Sequence, residues 1–548
     1  PTLELSRHSY RQGGVPLEEA VAYGVERTHI LETVLPTFWS LPSQEVTGYV
    51  GMVTLVLAVP AVALSGARRT VLALLGLALL SLTLAMGTYT PLYALLHRWL
   101  PQFDSFRAPG RWLLIWTFAL AGLAAHGAQA LRYRARSDQR ERAALGYGVA
   151  LFAVAAGLLF AIWRTNEVHA IQWLPHGRIA VLWLITALGA SALGLISVFS
   201  RVPWPQVIMV GALMLELGFA AREMEYNRPG DPDLHHNIPA VATHVWSQMG
   251  QVGAAGATTD RLVSLAIEER LDGERLRRAV PQGDGEHRRY AAMREVLRPN
   301  HGVTLGLPSI DGYDGGLLPL RDYARFKALL VSAETPVPHF TLGTQAGGRA
   351  DAMLYASLNV RYLLTDGRSG APGQGWVLRE NAPGAAWLYE NSSVLPRAFL
   401  VGQTIVEPDI ECATARLHTV DLATEAVVER PLLGTPSSVG AGQGSVHLTA
   451  AKTGELAMRV ETDAESLLVV TETFYPGWRA TVDGRPISIH RANVLFRSIV
   501  IPPGTHDVRL WYDPLSFKIG VGLTLMAVAG NAALMWRSRR RQEGHRAR

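Results

Sequence analysis

TVLALLGLALLSLTLAMG, at residues 70–87, carries no charged side chain. A helix needs about 20 mainly apolar residues to cross roughly 30 Å of hydrocarbon, and lipid offers an open backbone no hydrogen-bonding partner. We therefore expect this run to be a membrane-spanning helix. Six further windows are almost as apolar, and they lie at 48–66, 112–131, 143–163, 179–200, 204–221 and 516–536. The seven together predict a polytopic α-helical membrane protein.

Basic residues in the connections predict the orientation of these spans, because Lys and Arg beside a span stay in the cytoplasm. Four basic segments lie at 68–69, 132–142, 201 and 537–548. An odd number of spans places all four on one side. The expected order is an outer or interfacial segment at 1–47, six spans in a membrane domain at 48–221, an extracytoplasmic stretch at 222–514, a last span at 515–537 and a basic cytoplasmic tail at 538–548.

Composition narrows the function classes. The formal net charge is +5, but the arginines lie beside apolar blocks and not along one soluble face, so no nucleic-acid partner is expected. Cys412 is the single cysteine of the 548 residues, which excludes a disulfide or a thiolate metal cluster within them. Residue 1 is Pro and no basic-then-apolar leader precedes the first span, so we expect the natural N-terminus to lie upstream.

The extracytoplasmic stretch is expected to have two parts. At 222–443, helical patterns such as HRRYAAMREVLRP (287–299) alternate with strand-like runs such as NVRYLLT (359–365), which favours an α+β domain. The glycine- and serine-rich run at 434–444 is a boundary signal.

Closely spaced β-runs follow at 444–514, separated by turn residues, and they predict a small β-sandwich. Asp483-Gly484 between two of these runs predicts a tight hairpin, because glycine tolerates positive φ. Tyr475, Trp478, Trp511 and Tyr512 belong either to the core of this sandwich or to a surface that binds sugar rings.

Several motifs occur in a characteristic order: FRAPGRW (106–112), EYNRPG (225–230), LNVRYLLT (358–365), YENSSVLPRAFLV (389–401) and a run that starts with FYPGWRATVDG (474–484) and continues to residue 520. With these motifs, and with spans in matching places, the chain resembles the YfhO-type bacterial membrane proteins. That family belongs with the GT-C class of multi-spanning glycosyltransferases, and the resemblance runs over almost the whole chain.

The resemblance implies an enzyme of the bacterial cell membrane. Such an enzyme takes a sugar from a polyprenyl-phosphate donor at the outer face and adds it to a cell-envelope acceptor such as teichoic acid. In the GT-C class the catalytic carboxylate lies in the first external loop, so the resemblance implies a position upstream of Pro1.

Three arginines are candidates for binding the donor phosphate. Arg107 and Arg111 lie in a loop expected outside the membrane, where positive charge is disfavoured, just before a span begins. Guanidinium forks bind phosphate in pairs of hydrogen bonds. Arg7 is a third candidate on the same side. The alternative role is anchoring to lipid headgroups.

Two acidic residues are candidates for the chemistry. Glu32 in HILETVLP is the candidate general base within this chain, and its alternative is a solvated acid on an amphipathic helix. Glu216 lies near the outer end of an apolar span, where an ionisable group is functional or paired, or else reaches the surface.

The cofactor is left open. A divalent cation is used by some GT-C enzymes, but no metal-ligand set is evident. His235-His236, near Asp231 and Asp233, lacks the i, i+4 spacing of a helical metal site and is read as a solvated loop.

Two other functions fit a chain with many spans. A lipid-linked sugar transporter is disfavoured, because transporters place broken helices and charges near the middle of the membrane, and these spans hold almost none. A non-catalytic envelope protein that binds glycan through its sandwich is the other alternative.

Overall fold

The protein is described by a computed structural model over residues 2–26, 30, 33, 48–132, 174–199, 204–223, 238–249, 260–266, 285–312, 319–331, 342, 350–366, 371–381, 386–432 and 444–546. It divides into two compact units. Gly13–Pro229 is called the helical unit here, and Pro1–Gln12 together with Gly230–Arg548 is called the sheet unit.

Apolar α-helices dominate the helical unit. They are Leu17–Ala20, Met52–Leu64, Arg68–Ala85, Pro91–Trp99, Leu113–Arg132, Leu174–Phe199 and Trp204–Glu223. Short 3-10 helices lie at Gly87–Tyr89, Phe103–Ser105 and Pro109–Trp112.

Four helices are long and apolar enough to cross a membrane: Arg68–Ala85, Pro109–Leu131 and Trp204–Ala221 in the helical unit, and Leu515–Arg537 in the sheet unit. Two shorter apolar helical stretches lie at Met52–Leu64 and Ile185–Ser197. The span predicted at 143–163 lies outside the described residues. The described part of the chain therefore has four candidate spans, which supports a helical membrane protein.

The first predicted span begins later than its apolar run. The helix starts at Met52 and not at residue 48, because Gly51 has a φ of 84°, a left-handed conformation outside a helix. Its interior packs against helix Leu113–Arg132 so closely that a Cβ on Gly127 would meet the backbone carbonyl of Leu57.

The sheet unit contains fifteen strands among its described residues. They are β1 (Arg261–Ser264), β2 (Val360–Thr365), β3 (Trp376–Asn381), β4 (Trp387–Asn391), β5 (Ala398–Val401), β6 (Gln403–Val406), β7 (Glu425–Val428), β8 (Gly444–Lys452), β9 (Glu455–Thr462), β10 (Ser466–Thr473), β11 (Trp478–Val482), β12 (Arg485–Ile487), β13 (His490–Ala492), β14 (Phe496–Ile501) and β15 (Gly504–Tyr512).

The helices of the sheet unit are mostly short. They are Thr2–His8, Ala240–Met249, Gly285–Glu295, His301–Thr304, Arg321–Leu330, Ala352–Ser357, Ile410–Arg416 and the long Leu515–Arg546.

These strands form three sheets. The first has the order β1-β2-β4-β3, the second β5-β10-β14-β13-β7-β6 and the third β12-β11-β15-β9-β8. One buried cluster takes Leu468 and Ile499 from the second sheet and Val460 and Leu510 from the third, so these two sheets share an apolar core. The other face of the second sheet shares a core with the first sheet and with helix Arg321–Leu330.

The second sheet extends beyond the boundary predicted at residue 444. Strands β5, β6 and β7 precede that residue, and β5 pairs antiparallel with β10. Without β5, strand β10 would present an unpaired backbone edge. The described β-structure that packs on the third sheet therefore begins at Ala398.

The predicted hairpin at Asp483-Gly484 is confirmed. Val482 pairs with Arg485 across β11 and β12, and Asp483 and Gly484 have φ angles of 50° and 76°. Two consecutive residues with positive φ give the turn whose twist matches that of the strands.

The predicted segment 1–47 divides between the two units. Pro1–Gln12 belongs to the sheet unit, where Tyr10 N donates to Pro319 O over 3.1 Å and Ser9 forms a bridge with Leu320. The described residues that follow, up to residue 26, belong to the helical unit.

Candidate functional site

The FRAPGRW loop, residues 106–112, is held in place by backbone hydrogen bonds. Ala108 N donates to Ala20 O over 3.1 Å, and Gly110 N donates to Tyr23 O over 3.1 Å. Ala108 has a φ of 62°, which a residue with a Cβ adopts only where its surroundings enforce it. Both arginines of the loop therefore extend from a fixed backbone.

Aromatic rings pack beside this loop. The rings of Tyr93 and Phe103 meet edge-on with centroids 5.0 Å apart, and Phe103 stacks with Trp112 at 6.4 Å. Tyr93 is buried and donates a hydrogen bond to Phe106 O over 3.4 Å. Apolar packing and backbone hydrogen bonds thus hold the loop in place.

Arg107 and Arg111 lie together in this loop. Arg107 is half-buried, and its Nε is enclosed without a hydrogen-bond partner among the described residues. Arg111 is exposed. Phe106 and Trp99 are 67% and 73% exposed, as is typical of aromatic side chains at a membrane–water interface. This setting is compatible with the predicted phosphate site, which stays a prediction.

The other two candidates are Arg7 and Glu32. Arg7 is exposed on helix Thr2–His8, which belongs to the sheet unit, whereas the FRAPGRW loop belongs to the helical unit. Glu32, the candidate base, lies outside the described residues. Their proposed roles stay predictions.

Glu216 is buried and paired inside the helical unit. Its Oε1 accepts hydrogen bonds from the Tyr49 hydroxyl and, over 2.8 Å, from Met52 N. That nitrogen belongs to the first turn of a helix, where the helix dipole favours a negative group. Glu216 is 8% exposed, so its side chain does not reach the surface of the helical unit. Of the two alternatives for this residue, the structure favours a paired group.

The aromatic residues predicted in the sandwich split between core and surface. Trp478 packs against the core shared by the second and third sheets, whereas Tyr512 is 40% exposed. Their ring centroids are 5.5 Å apart, and Tyr475 lies 6.3 Å from Tyr512. The three rings form one cluster at the end of β15, while Trp511 contacts the guanidinium group of Arg509.

Sequence reasoning missed a second charged group, called here the arginine cluster: Arg261, Arg397, Arg497 and Glu472. Glu472 Oε1 accepts from Arg261 Nη2 over 2.8 Å and from Arg397 Nε over 2.9 Å. Arg497 Nη2 lies 3.4 Å from the other carboxylate oxygen. Three guanidinium groups thus share one carboxylate.

Alternation along the strands places this cluster at the end of a core. Successive side chains of a strand point to opposite faces, so Glu472 follows Leu468 and Val470 on β10. Arg497 in the same way precedes Ile499 on β14, and all three apolar residues belong to the core between the second and third sheets. The sequence held one signal for this cluster: Arg497 occupies an inward-facing position of the β-run LFRSIVI.

Residues 440–524 match the model of a protein family described as bacterial membrane protein YfhO. Over these residues the chain is similar to the YfhO family. No curated protein and no solved structure matches it. The matched region runs from β8 to the first turns of helix Leu515–Arg546, and it contains three members or neighbours of the arginine cluster, namely Glu472, Trp478 and Arg497.

The YfhO description names a membrane protein and no activity. Among the described residues, no three His, Cys, Asp or Glu side chains lie close enough to hold a metal ion. The pair His235-His236 lies outside the described residues.

Proposed function

We propose that this protein is a GT-C glycosyltransferase that moves a sugar from a polyprenyl-phosphate donor to a cell-envelope acceptor such as teichoic acid. The observation that carries this proposal is the FRAPGRW loop, which holds two arginines on a fixed backbone beside exposed aromatic side chains. A polyprenyl phosphate presents its charge at the membrane surface, where arginine forks bind phosphate oxygens well.

The transfer exchanges one bond for another. The oxygen of an acceptor hydroxyl bonds to the anomeric carbon as the bond from that carbon to the phosphate oxygen breaks, and the polyprenyl phosphate leaves with the electron pair. A carboxylate takes the hydroxyl proton, and Glu32 is its candidate within this chain. Arg107 and Arg111 stabilise the charge that develops on the phosphate.

The proposal includes an orientation. Seven spans place the FRAPGRW loop and residues 222–514 outside the cell membrane and the basic tail at 538–548 in the cytoplasm. The four basic segments of the sequence support this arrangement. An acceptor in the cell envelope is then on the same side as the donor.

Substitution of the loop arginines tests the proposal. We expect Arg107→Gln and Arg111→Gln each to raise the KM for the donor about 10- to 100-fold, since a hydrogen bond to a charged group contributes roughly 1.5–3 kcal/mol. The measurement is transfer of radiolabelled hexose from polyprenyl phosphate in membranes that contain the protein.

Arg98→Gln is the matched control. Arg98 is exposed and contacts the ring of Trp99 at 5.5 Å, so its loss should change the KM by less than about threefold, as for most surface substitutions. The proposal is wrong if no polyprenyl-phosphate hexose serves as donor, or if both loop variants keep the wild-type KM.

The cluster of Tyr475, Trp478 and Tyr512 favours a second candidate function, a non-catalytic glycan-binding protein. The exposed ring of Tyr512 is a suitable surface for stacking against a sugar. Glycan binding that is lost in Tyr512→Ala, in a protein that transfers no sugar, would support this second function.

A further inference from the structure

The arginine cluster leaves positive charge in a poorly solvated place. Three guanidinium groups and one carboxylate give a net charge of +2. The exposed fractions of the side chains are 14% for Arg261, 25% for Arg397, 23% for Glu472 and 3% for Arg497. Burying charge without a counterion is unfavourable, so the cluster is incomplete as an ion-pair network.

Hydrogen bonding within the cluster is incomplete as well. Arg497 Nε donates to Thr473 O over 3.1 Å, but its Nη1 is buried without a hydrogen-bond partner among the described residues. The ring of Trp478 lies 3.5 Å from the guanidinium carbon of Arg497, and this cation–π contact offsets part of the deficit. A ring face nevertheless supplies no acceptor in the plane of the N–H groups.

The charges persist at neutral pH. Burial, together with the charges of Arg397 and Arg261, lowers the pKa of Arg497 to about 10, so its side chain stays protonated. Burial raises the pKa of Glu472, but the three arginines outweigh it and hold that pKa below the ordinary value. The net charge of +2 is therefore present at physiological pH.

We propose that the arginine cluster is a binding site for an oxyanion, such as the phosphate group of a free ion or of a phosphorylated sugar. The ligand enters on the side of Arg397, the most exposed arginine of the three, and accepts hydrogen bonds from its guanidinium group. Arg261 already donates to Leu358 O over 3.0 Å, to Thr471 O over 2.8 Å and to Glu472, so it contributes mainly positive charge. Arg497 adds positive charge from below. The inference does not rest on the proposed sugar transfer.

The proposal names two sources for the same group. A free phosphate ion needs only the guanidinium donors. A sugar phosphate also gains from the neighbouring rings of Trp478 and Tyr512, because sugar rings pack on aromatic faces. The two sources are distinguished by the ratio of their affinities.

Ligand-dependent thermal stability of the full chain in lipid nanodiscs tests the site. A ligand that binds the folded state raises the melting temperature with increasing concentration. We expect sodium phosphate to raise it relative to sodium chloride of equal ionic strength, and glucose 6-phosphate to act at lower concentration if a sugar phosphate is the source. Unphosphorylated glucose should have no effect.

Three variants separate a binding site from a structural network. Arg397→Gln should weaken phosphate binding at least tenfold, and Glu472→Gln should strengthen it several-fold because the net charge rises to +3. Arg509→Gln removes an exposed arginine paired with Glu455 and should leave binding unchanged. If Arg397→Gln does not fold, Arg397→Lys keeps the charge, loses the fork and should still bind more weakly.

Two results would overturn the inference. One is an equal melting temperature of the wild type in phosphate and in chloride. The other is a rise in melting temperature with phosphate that is as large in Arg397→Gln as in the wild type, or smaller in Glu472→Gln than in the wild type. Phosphate would then bind elsewhere.

Discussion

Asp311 and Lys327 form a buried ion pair in the sheet unit. The Lys327 Nζ lies 3.1 Å from Asp311 Oδ1, and the side chains are 4% and 1% exposed. Asp311 Oδ2 also accepts from Leu342 N over 2.6 Å. Burial raises the pKa of Asp311 despite the opposing charge of Lys327, so the carboxylate depends on its partners to stay ionised.

We expect Asp311→Asn to destabilise the sheet unit by about 3–5 kcal/mol, because it leaves Lys327 charged and buried. The double variant Asp311→Asn with Lys327→Met should recover part of this loss. The measurement is the melting temperature of the full chain, with Arg509→Gln as a control at an exposed pair, where roughly 0–1 kcal/mol is expected. Equal effects of Asp311→Asn and Arg509→Gln would contradict the pairing.

His506 and Asp483 predict a pH dependence of stability. His506 Nδ1 lies 2.7 Å from Asp483 Oδ2. This hydrogen bond raises the pKa of His506 above 6.5 and lowers that of Asp483 below 3.8. The stabilisation from His506 is complete below pH 6.5 and disappears as the pH rises through its raised pKa. The part from Asp483 is complete above pH 3.8 and disappears on further acidification.

His506→Gln should therefore lower the melting temperature most between pH 3.8 and pH 6.5, and least in alkaline solution. Melting curves of the wild type and the variant across this range provide the check. A constant difference from pH 5 to pH 9 would show that the histidine acts by packing alone.

Single residues were only partly predictable. FRAPGRW and the aromatic residues near Tyr512 stand out in the sequence, because their composition is unusual for their position. Arg261 and Arg397 do not, since they lie far apart in sequence. They meet at Glu472 only after β5 pairs with β10 and the first sheet, which carries Arg261 on β1, packs against the second. Contacts of that kind depend on register, which short β-runs specify weakly before the fold is known.

At the scale of elements, one glycine determines a helix contact. Gly127 lets helix Leu113–Arg132 approach the carbonyl of Leu57. We expect Gly127→Ala to destabilise the helical unit by about 1–3 kcal/mol through overpacking, as measured by the melting temperature in nanodiscs.

Gly76→Ala is the control on a neighbouring helix. A Cβ at Gly76 meets nothing within 4 Å, so this change should be neutral or stabilise by up to ~1 kcal/mol through helix propensity. If both alanine variants have the same melting temperature, the close contact at Gly127 does not contribute to stability.

Helices and strands were predicted better than their boundaries. Apolar runs identify helices such as Arg68–Ala85 because lipid permits little else. The start of helix Met52–Leu64 could not be predicted in this way. It depends on the backbone of Gly51 and on a hydrogen bond from Met52 N to the carboxylate of Glu216, which lies 164 positions away in sequence. In the same way, the glycine-rich run at 434–444 signals a turn but gives no information about β5, which pairs across it.

At the scale of the molecule, the single cysteine can show which side of the membrane its part of the chain occupies. Cys412 is exposed in the sheet unit. If residues 222–514 lie outside the cell, as proposed, a membrane-impermeant maleimide should label Cys412 in intact cells. Labelling should be slow at neutral pH, because a hydrogen bond with Asp409 raises the pKa of the thiol and thiolate is the reactive form.

Two variants complete the labelling experiment. Cys412→Ala should abolish the signal, and Ser538→Cys in that background should react only after the cells are opened. Labelling of the Ser538→Cys variant in intact cells, together with no labelling of Cys412 in intact wild-type cells, would reverse the proposed orientation.

The last strand and the last helix are joined by only two residues, Asp513 and Pro514. The carboxylate of Asp513 also pairs with Arg479 on β11 and with Lys518 on the helix. Two residues reach at most about 7 Å, so Tyr512, at the end of β15, lies close to the start of the candidate span Leu515–Arg537. If the glycan-binding proposal is right, a polymer bound at Tyr512 would be contacted in a thin layer close to the bilayer, and groups further out would not reach this ring.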